Sequence, residues 1–474
     1  MPPCTASKQF LTAALVALAA LTACNGPTRP PTAADAPPSP PAGRTLRSWT
    51  VDPQFRPEAI GDLETRAWYR QIGVEIAREN AVDCPPEGTP PEAQEYFPAS
   101  STTAACSAIK HYVGRGLNYY VTSLLSVFRV TGDPALLAEV DRVLEIVRSR
   151  LRDTDGDGYR NLYYLTVYGP DDFNPKEDSL AHGFLAEVAY VFGKNAAYST
   201  PEHPYAERAA FWTDYLRGDF EAKWAGRRET AEGLPVDRLM HPFMEILRYS
   251  VYMAKLFPDD LKYRHFSERL SRVALTEFKT DATPSGDAFV WSHVVRLWDP
   301  QLRGDPESCL DFQMGTYPQQ TMTAFVDLAL EGHPGFSDTL ALQKLSRTLS
   351  ESVMAPTELG FLYKDVGGLR NGVLEPDRRK DTVIGGWCFR DASFNNGGAP
   401  TENFRSEGSY QAIPWALLVA FVPEADLTAS EIYRVNRQIY GDPLAGEIVA
   451  KRLSIPAAMA FARLYRSGPF ALER

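Results

Sequence analysis

The chain has 474 residues, 44% hydrophobic and 23% charged, with 37 prolines, 33 glycines, six cysteines and a formal net charge of −11. These proportions fit a folded globular protein and exclude a disordered or collagen-like one; the acidic balance argues against a nucleic-acid binder, which needs a basic face. Aromatic residues reach 11%, a content that suits a ring-lined sugar cleft, although most such rings pack cores.

Lys8 precedes an apolar run over 10–23. The run is too short to span a bilayer and right for the apolar region of an export signal. It ends in Leu21-Thr22-Ala23-Cys24. Small residues before a cysteine resemble the lipobox of bacterial lipoproteins, which implies lipidation of Cys24. By the same resemblance Asn25, where Asp is absent, implies the outer membrane, facing periplasm or cell surface. Residues 25–45 hold seven prolines and read as a semi-extended tether. Lys8, Arg29, Arg44 and Asp35 give 1–45 a charge of +2, so 46–474 carries −13 (−11 less +2). The expected organisation is a signal over 1–23, lipidated Cys24 with a tether over 24–45, and a single catalytic domain over 46–474. Cys4 leaves with the signal. Cys84, Cys106, Cys309 and Cys388 permit two bridges in an oxidising compartment: Cys84–Cys106 around a Pro-rich loop, the favoured pair, and Cys309–Cys388. Four unpaired thiols is the alternative.

From about residue 62 the apolar pattern has a helical period. The clearest case is 134–152: Asp133 suits the N-cap, Pro134 suits N1, and Leu136, Leu137, Val140, Val143, Leu144, Val147 and Leu151 form one stripe. Amphipathic helices of this kind are also predicted over 203–223, 259–279 and 337–354. Between them lie more apolar helices with few charges, over 117–130, 178–193, 240–257, 318–331, 409–422 and 455–466. A helix apolar nearly all round is buried on several sides. Non-helical inserts are predicted at 83–105, 159–176, 281–312 and 356–406, the last with short strands near 360–364, 382–385 and 387–390.

Alternation of a buried helix with a wet one is a repeat architecture. Over 62–470 it resembles the (α/α) toroid, or helical-hairpin barrel, of many glycoside hydrolases and uronate polysaccharide lyases. The predicted fold class is therefore all-α, with a few short strands in inserts. An open helical solenoid and an irregular all-α domain would show similar alternation.

In such a ring the starts of the inner helices surround the cleft, and polar residues there carry weight. Asp178 and His182 are i,i+4 at one start, and His241 and Glu245 at the next; the functional reading is a carboxylate orienting an imidazole for proton transfer. The bland reading is a capping carboxylate beside a satisfied core histidine. Asn118 and Tyr119 open the first inner helix, and Tyr317 and Gln320 the fourth. Arg405, Glu407 and Tyr410 precede the fifth, while His293, Arg296 and Arg390 lie in inserts. The catalytic candidates are His182, His241, Tyr317 and Tyr410; the others are substrate-binding candidates.

Asp153, Asp155 and Asp157 match the opening of a calcium loop, but Tyr164 stands where the bidentate Glu belongs. The loop reads as structural, with Ca²⁺ the alternative; no cofactor is required. Nucleotide, zinc-protease and serine-hydrolase motifs are absent from the sequence.

Three functions fit. A lyase on a uronic-acid polymer must neutralise the C6 carboxylate, remove the C5 proton and protonate the leaving oxygen, tasks for amides, Arg, His and Tyr. A glycoside hydrolase needs two carboxylates, for which Asp178, Glu245 and Glu407 are available. A non-catalytic glycan-binding lipoprotein needs neither. The surplus of Tyr, His and amides at helix starts favours the lyase. The expected partners are a poly- or oligosaccharide and a membrane met through the lipid anchor alone, with no nucleic acid.

Overall fold

Side-chain caps set where the helices start. Asp133 Oδ1 accepts from Ala135 N at 2.9 Å with Pro134 at N1, Asp260 accepts from Lys262 N at 3.2 Å, and Asp338 from Ala341 N at 3.0 Å. The computed structural model describes residues 49–80, 113–153, 156–162, 165–166, 169–170, 175–225, 230–231, 233–298, 308–313, 317–348, 351, 354–357, 360–363, 382–390, 417–420 and 454–467. All of them belong to the compact unit Gly43–Arg474. The export signal, Cys24, the tether and the pair Cys84 and Cys106 lie outside the described residues.

The helices are α1 (Leu63–Asn80), α2 (Asn118–Thr131), α3 (Pro134–Arg150), α4 (Pro175–Lys194), α5 (Tyr205–Tyr215), α6 (Met240–Leu256), α7 (Leu261–Glu277), α8 (Tyr317–Leu330), α9 (Thr339–Arg347) and α10 (Ser454–Ser467). Helices α2, α4, α6 and α8 are buried along most of their length, whereas α3, α5, α7 and α9 bury one face. Neighbouring buried helices pack side by side, α2 on α4, α4 on α6 and α6 on α8. Each of the first three carries its own outer helix: α3 on α2, α5 on α4 and α7 on α6. Helix α10 packs on α2 and shares a small cavity with α2 and α8, and α1 covers α10 from outside. The inner helices thus run round a ring, and the chain's first and last described helices form its closing pair. Arg463 of α10 fastens that pair, donating to Thr65 Oγ1 at 3.0 Å and Asp62 Oδ2 at 2.8 Å. The mostly helical (α/α) toroid expected from the alternation is the fold observed.

The tightest approach is between α4 and α6. A Cβ on Gly183 would lie 2.7 Å from the Glu245 backbone oxygen and strike its carboxylate as well. Gly183→Ala is expected to cost about 1–3 kcal/mol by forcing the helices apart, read as a lower urea midpoint. A change within error would place the close approach elsewhere.

Short hairpins pair β1 (Leu165–Thr166) with β2 (Gly169–Pro170), β3 (Thr230–Ala231) with β4 (Leu234–Pro235) and, further along, β8 (Met354–Thr357) with β9 (Gly360–Tyr363). Several boundaries differ from the sequence reading. The helix predicted over 259–279 ends at Glu277, because the chain turns into a hairpin, β5 (Lys279–Thr283) with β6 (Gly286–Val290), through Gly286 at φ 122°. The helix predicted over 337–354 is α-helical to Arg347 and π-type at Thr348 and Glu351. There Thr348 bonds Phe289 of β6, accepting from its N at 2.9 Å and donating to its O at 2.7 Å. Helix α5 continues past Tyr215 as a π-type turn, Leu216–Glu221. Of the helix predicted over 409–422, Leu417–Ala420 is described, as a short 3-10 turn.

Short strands appear in the inserts, as expected. Strand β7 (Leu310–Asp311) pairs in parallel with β11 (Trp387–Arg390), which pairs antiparallel with β10 (Thr382–Ile384). The Cys309–Cys388 disulfide joins β7's leading edge to β11, with Cα atoms 4.4 Å apart.

Candidate functional site

The starts of the inner helices share one end of the ring. His241 is the second residue of α6 and Tyr317 the first of α8. Their rings lie 4.4 Å apart, centre to centre. His293 arrives from the segment after β6 and completes the group, 4.8 Å from Tyr317 and 5.6 Å from His241. Its backbone is held on both sides: His293 N donates to Asp311 O, and Met240 N donates to His293 O, each at 2.9 Å. Three predicted site residues from three chain segments therefore converge. His241 is fully buried beneath, while His293 and Tyr317 are half-buried. Burial holds the His293 imidazole below its ordinary value; Asp311 opposes this and Lys176 reinforces it. His293 is therefore neutral at pH 7 and able to accept a proton.

Beneath this cluster the ring's axis is filled by buried charge. Arg248 of α6, with no exposed surface, pairs with Glu187 of α4, with Asp327 of α8 at 3.0 Å and with Glu245 at 3.3 Å, and reaches Thr122 of α2 at 3.4 Å. Asn118 Nδ2 donates to Glu245 Oε1 at 3.0 Å and to Leu180 O at 3.1 Å. Further down, Arg129 pairs with Glu331 and with Asp327 at 3.3 Å, and Tyr252 donates to Asp327 at 2.9 Å. The far end is sealed by Trp49, whose ring covers the Arg129 guanidinium at 3.8 Å and whose Nε1 donates to Glu331 at 2.9 Å. Trp49 holds φ 53° and is clamped by Asn195, which donates to Trp49 O at 2.6 Å. The axis is therefore closed at the helix ends. Apart from Glu245, these charges were not singled out from the sequence. Their signal was present: Arg129 and Asp327 are each the lone charge in an otherwise uncharged inner helix.

One predicted pairing is corrected. Asp178 and His182 do not meet through their side chains. His182 Nδ1 contacts the Asp178 backbone oxygen at 2.6 Å, its Nε2 contacts Tyr215 Oη at 3.1 Å, and its ring stacks on Phe220 at 3.6 Å. The Asp178 carboxylate instead accepts from Trp224 Nε1 at 2.7 Å and meets Lys223 at 3.4 Å. Both residues are buried where α4 meets α5 and its continuation, so the core-histidine reading describes this pair. Glu245, in turn, is taken up by Asn118 and Arg248, and burial raises its carboxyl above the usual range.

Burial pushes the His182 imidazole down to about 4, against the pull of Asp178. The unfolded chain, near 6.5, binds the extra proton between those values. His182's contribution to stability is therefore complete above pH 6.5 and falls as pH drops toward 4, by an amount on the order of 3 kcal/mol. Urea midpoints taken from pH 7 to pH 4 are expected to fall more steeply for the parent than for His182→Gln. Equal slopes would remove the assignment.

The other predicted residues are placed as follows. Arg296 is buried, donates to Ser308 O and faces the Trp387 ring at 5.0 Å, so it props the insert. Gln320 is buried and donates to Gly114 O at 3.4 Å. Tyr119 is half-buried and lines the small cavity among α2, α8 and α10 with Ser123 and Thr323. Arg390 contributes backbone pairing to β11. Arg405, Glu407 and Tyr410 lie outside the described residues. In the acidic loop Asp153 accepts from Gly156 N at 2.7 Å and Gly158 N at 2.9 Å, and Asp157 from Tyr159 N at 3.0 Å, so these carboxylates hold their own turn. Asp155 lies outside the described residues, among which no group of three His, Cys, Asp or Glu could hold a metal ion. No described helix is long and apolar enough to cross a membrane.

No family model and no curated protein matches the chain. Among solved structures it is similar to an inactive variant of alpha-1,6-mannanase, GH76A of Salegentibacter sp. HEL1_6, in complex with alpha-1,6-mannotetrose. The TM-score is 0.34 at 12% identity, over 74% of this chain and 87% of that one.

Proposed function

We propose that this chain is a carbohydrate-active enzyme that cleaves a glycan at the end of its ring where the inner helices start. The observation that carries the reading is the convergence of His241, His293 and Tyr317 over an axis plugged by ion pairs. A half-buried neutral imidazole and a phenol within one ring contact can accept and donate a proton. The plug confines the polymer to one face.

Within that class the described groups favour β-elimination on a uronate. His293 takes the C5 proton, the C4–O bond breaks as C4=C5 forms, and the Tyr317 phenol protonates the leaving oxygen. The starts of α2, α4, α6 and α8 carry partial positive charge, which stabilises the carboxylate-centred charge that develops. Lys176, in the first turn of α4, adds a full charge close enough to act on His293. Hydrolysis is the second reading, favoured by two carboxylates at the same end. Asp311 acts electrostatically on His293, and Glu177 sits 3.8 Å from Lys176. Attachment to the outer membrane through Cys24 belongs to the same proposal, on the lipobox resemblance.

The test is to incubate the purified protein with alginate, glucuronan, pectate, glycosaminoglycans and α-1,6-mannan, following ultraviolet absorbance of unsaturated uronate and new reducing ends together. Both signals rising on a uronate support elimination. Reducing ends alone establish hydrolysis and overturn it. Neither signal on any polymer refutes cleavage.

A further inference from the structure

The Cys309–Cys388 bridge stands at the head of a backbone relay that leads to the site. Cys309 immediately precedes β7, and Cys388 lies within β11. The two strands pair over two registers, Leu310 with Phe389 and Asp311 with Arg390, and Phe312 stacks on Phe389 at 5.0 Å. Next to this pair Asp311 O accepts from His293 N, Gln313 N donates to Trp291 O at 3.2 Å, and Ser292 bridges to Phe312. From His293 O the relay passes to Met240 N, the residue before His241. A two-residue parallel pairing is too short to hold itself, since parallel strands pair weakly and need several residues. Its partners are 79 residues apart in the chain, so without the covalent link their encounter carries the full entropy of closing a long loop. Strand β11 is also held by its antiparallel pairing with β10, which is local in the chain, by the burial of Phe389, and by Trp387, seated under Lys279 at 3.6 Å and near Arg296.

We propose that Cys309 and Cys388 are positioning residues: their disulfide fixes β7 against β11, and β7 in turn sets the backbone and burial of His293 beside His241 and Tyr317. Both cysteines are half-buried. The proposal rests on the proposed function only for its turnover arm.

The experiment follows histidine ring signals by NMR and amide exchange in the full chain. The oxidised protein is compared with the dithiothreitol-reduced protein and with a Cys309→Val, Cys388→Val double variant. The charged and titratable groups facing His293 are Asp311, Lys176, His241 and Tyr317. With the bridge opened, the His293 midpoint is expected to rise toward its ordinary value and its amide to exchange about tenfold faster through local opening. His182 and His333, packed elsewhere, keep their signals. On a polymer the parent cleaves, kcat falls while KM is kept. An unchanged His293 midpoint and amide overturn the proposal. So does a His182 signal that shifts together with His293, because the bridge then holds the whole fold and not this site. If the parent cleaves no polymer, the functional reading fails while the His293 titration still decides this one.

Discussion

Arg248→Met is expected to destabilise the protein by about 3–5 kcal/mol, a large share of the stability of an ordinary domain. Arg248 is fully buried and is shared by Glu187, Glu245 and Asp327. Its removal leaves three buried carboxylates with less compensation than their desolvation demands. Burial already raises the Glu187 and Glu245 carboxyls above the usual range, with Arg248 opposing. Losing Arg248 raises them further, and the variant then takes up protons that the parent does not hold. The sign follows: the native variant binds more protons than its unfolded chain above pH 4.5, so its stability falls as pH rises from there. Urea midpoints at pH 5 and pH 8 check both parts, and adding Glu187→Gln is expected to recover part of the loss. A cost below about 1 kcal/mol at pH 8 would mean that water reaches the axis and screens these charges.

Tyr317→Phe is expected to lower turnover by about two to four orders of magnitude on whichever polymer the parent cleaves, as for loss of a general acid. Its urea midpoint stays close to the parent's, because the half-buried ring keeps its contacts with His241 and His293. His293→Ala is expected to match it in turnover and to remove the acid limb of the pH profile set by the lowered imidazole. His182→Ala falls in a different category: it opens a void against Phe220 and Tyr215, so stability drops with no direct effect on the chemical step. Normal turnover in Tyr317→Phe would remove this cluster as the reacting site.

These expectations separate residues that looked alike in the sequence. Asp178–His182 and His241–Glu245 are both i,i+4 pairs of a carboxylate and an imidazole, in opposite order, at the starts of consecutive inner helices. Spacing puts both pairs on one helix face but is silent on what stands opposite. Across from His182 come Phe220 and Tyr215, which fill its surroundings. Across from His241 come Tyr317 and His293. The second grouping joins residues 52 and 76 positions beyond His241 (293 and 317 less 241), and no local pattern brings them together.

What the sequence determined by itself was the alternation of buried and wet helices, their capped starts and the strands of the inserts. These depend on periodicity and propensity, which are properties of neighbours along the chain. Tertiary structure decided how α1 closes the ring on α10, that Cys309 meets Cys388, which of two similar imidazole–carboxylate pairs joins a cluster with His293 and Tyr317, and that charges from four inner helices meet on one axis. Those outcomes depend on distances between segments remote in sequence, and a buried charge finds its partner by packing geometry and not by spacing.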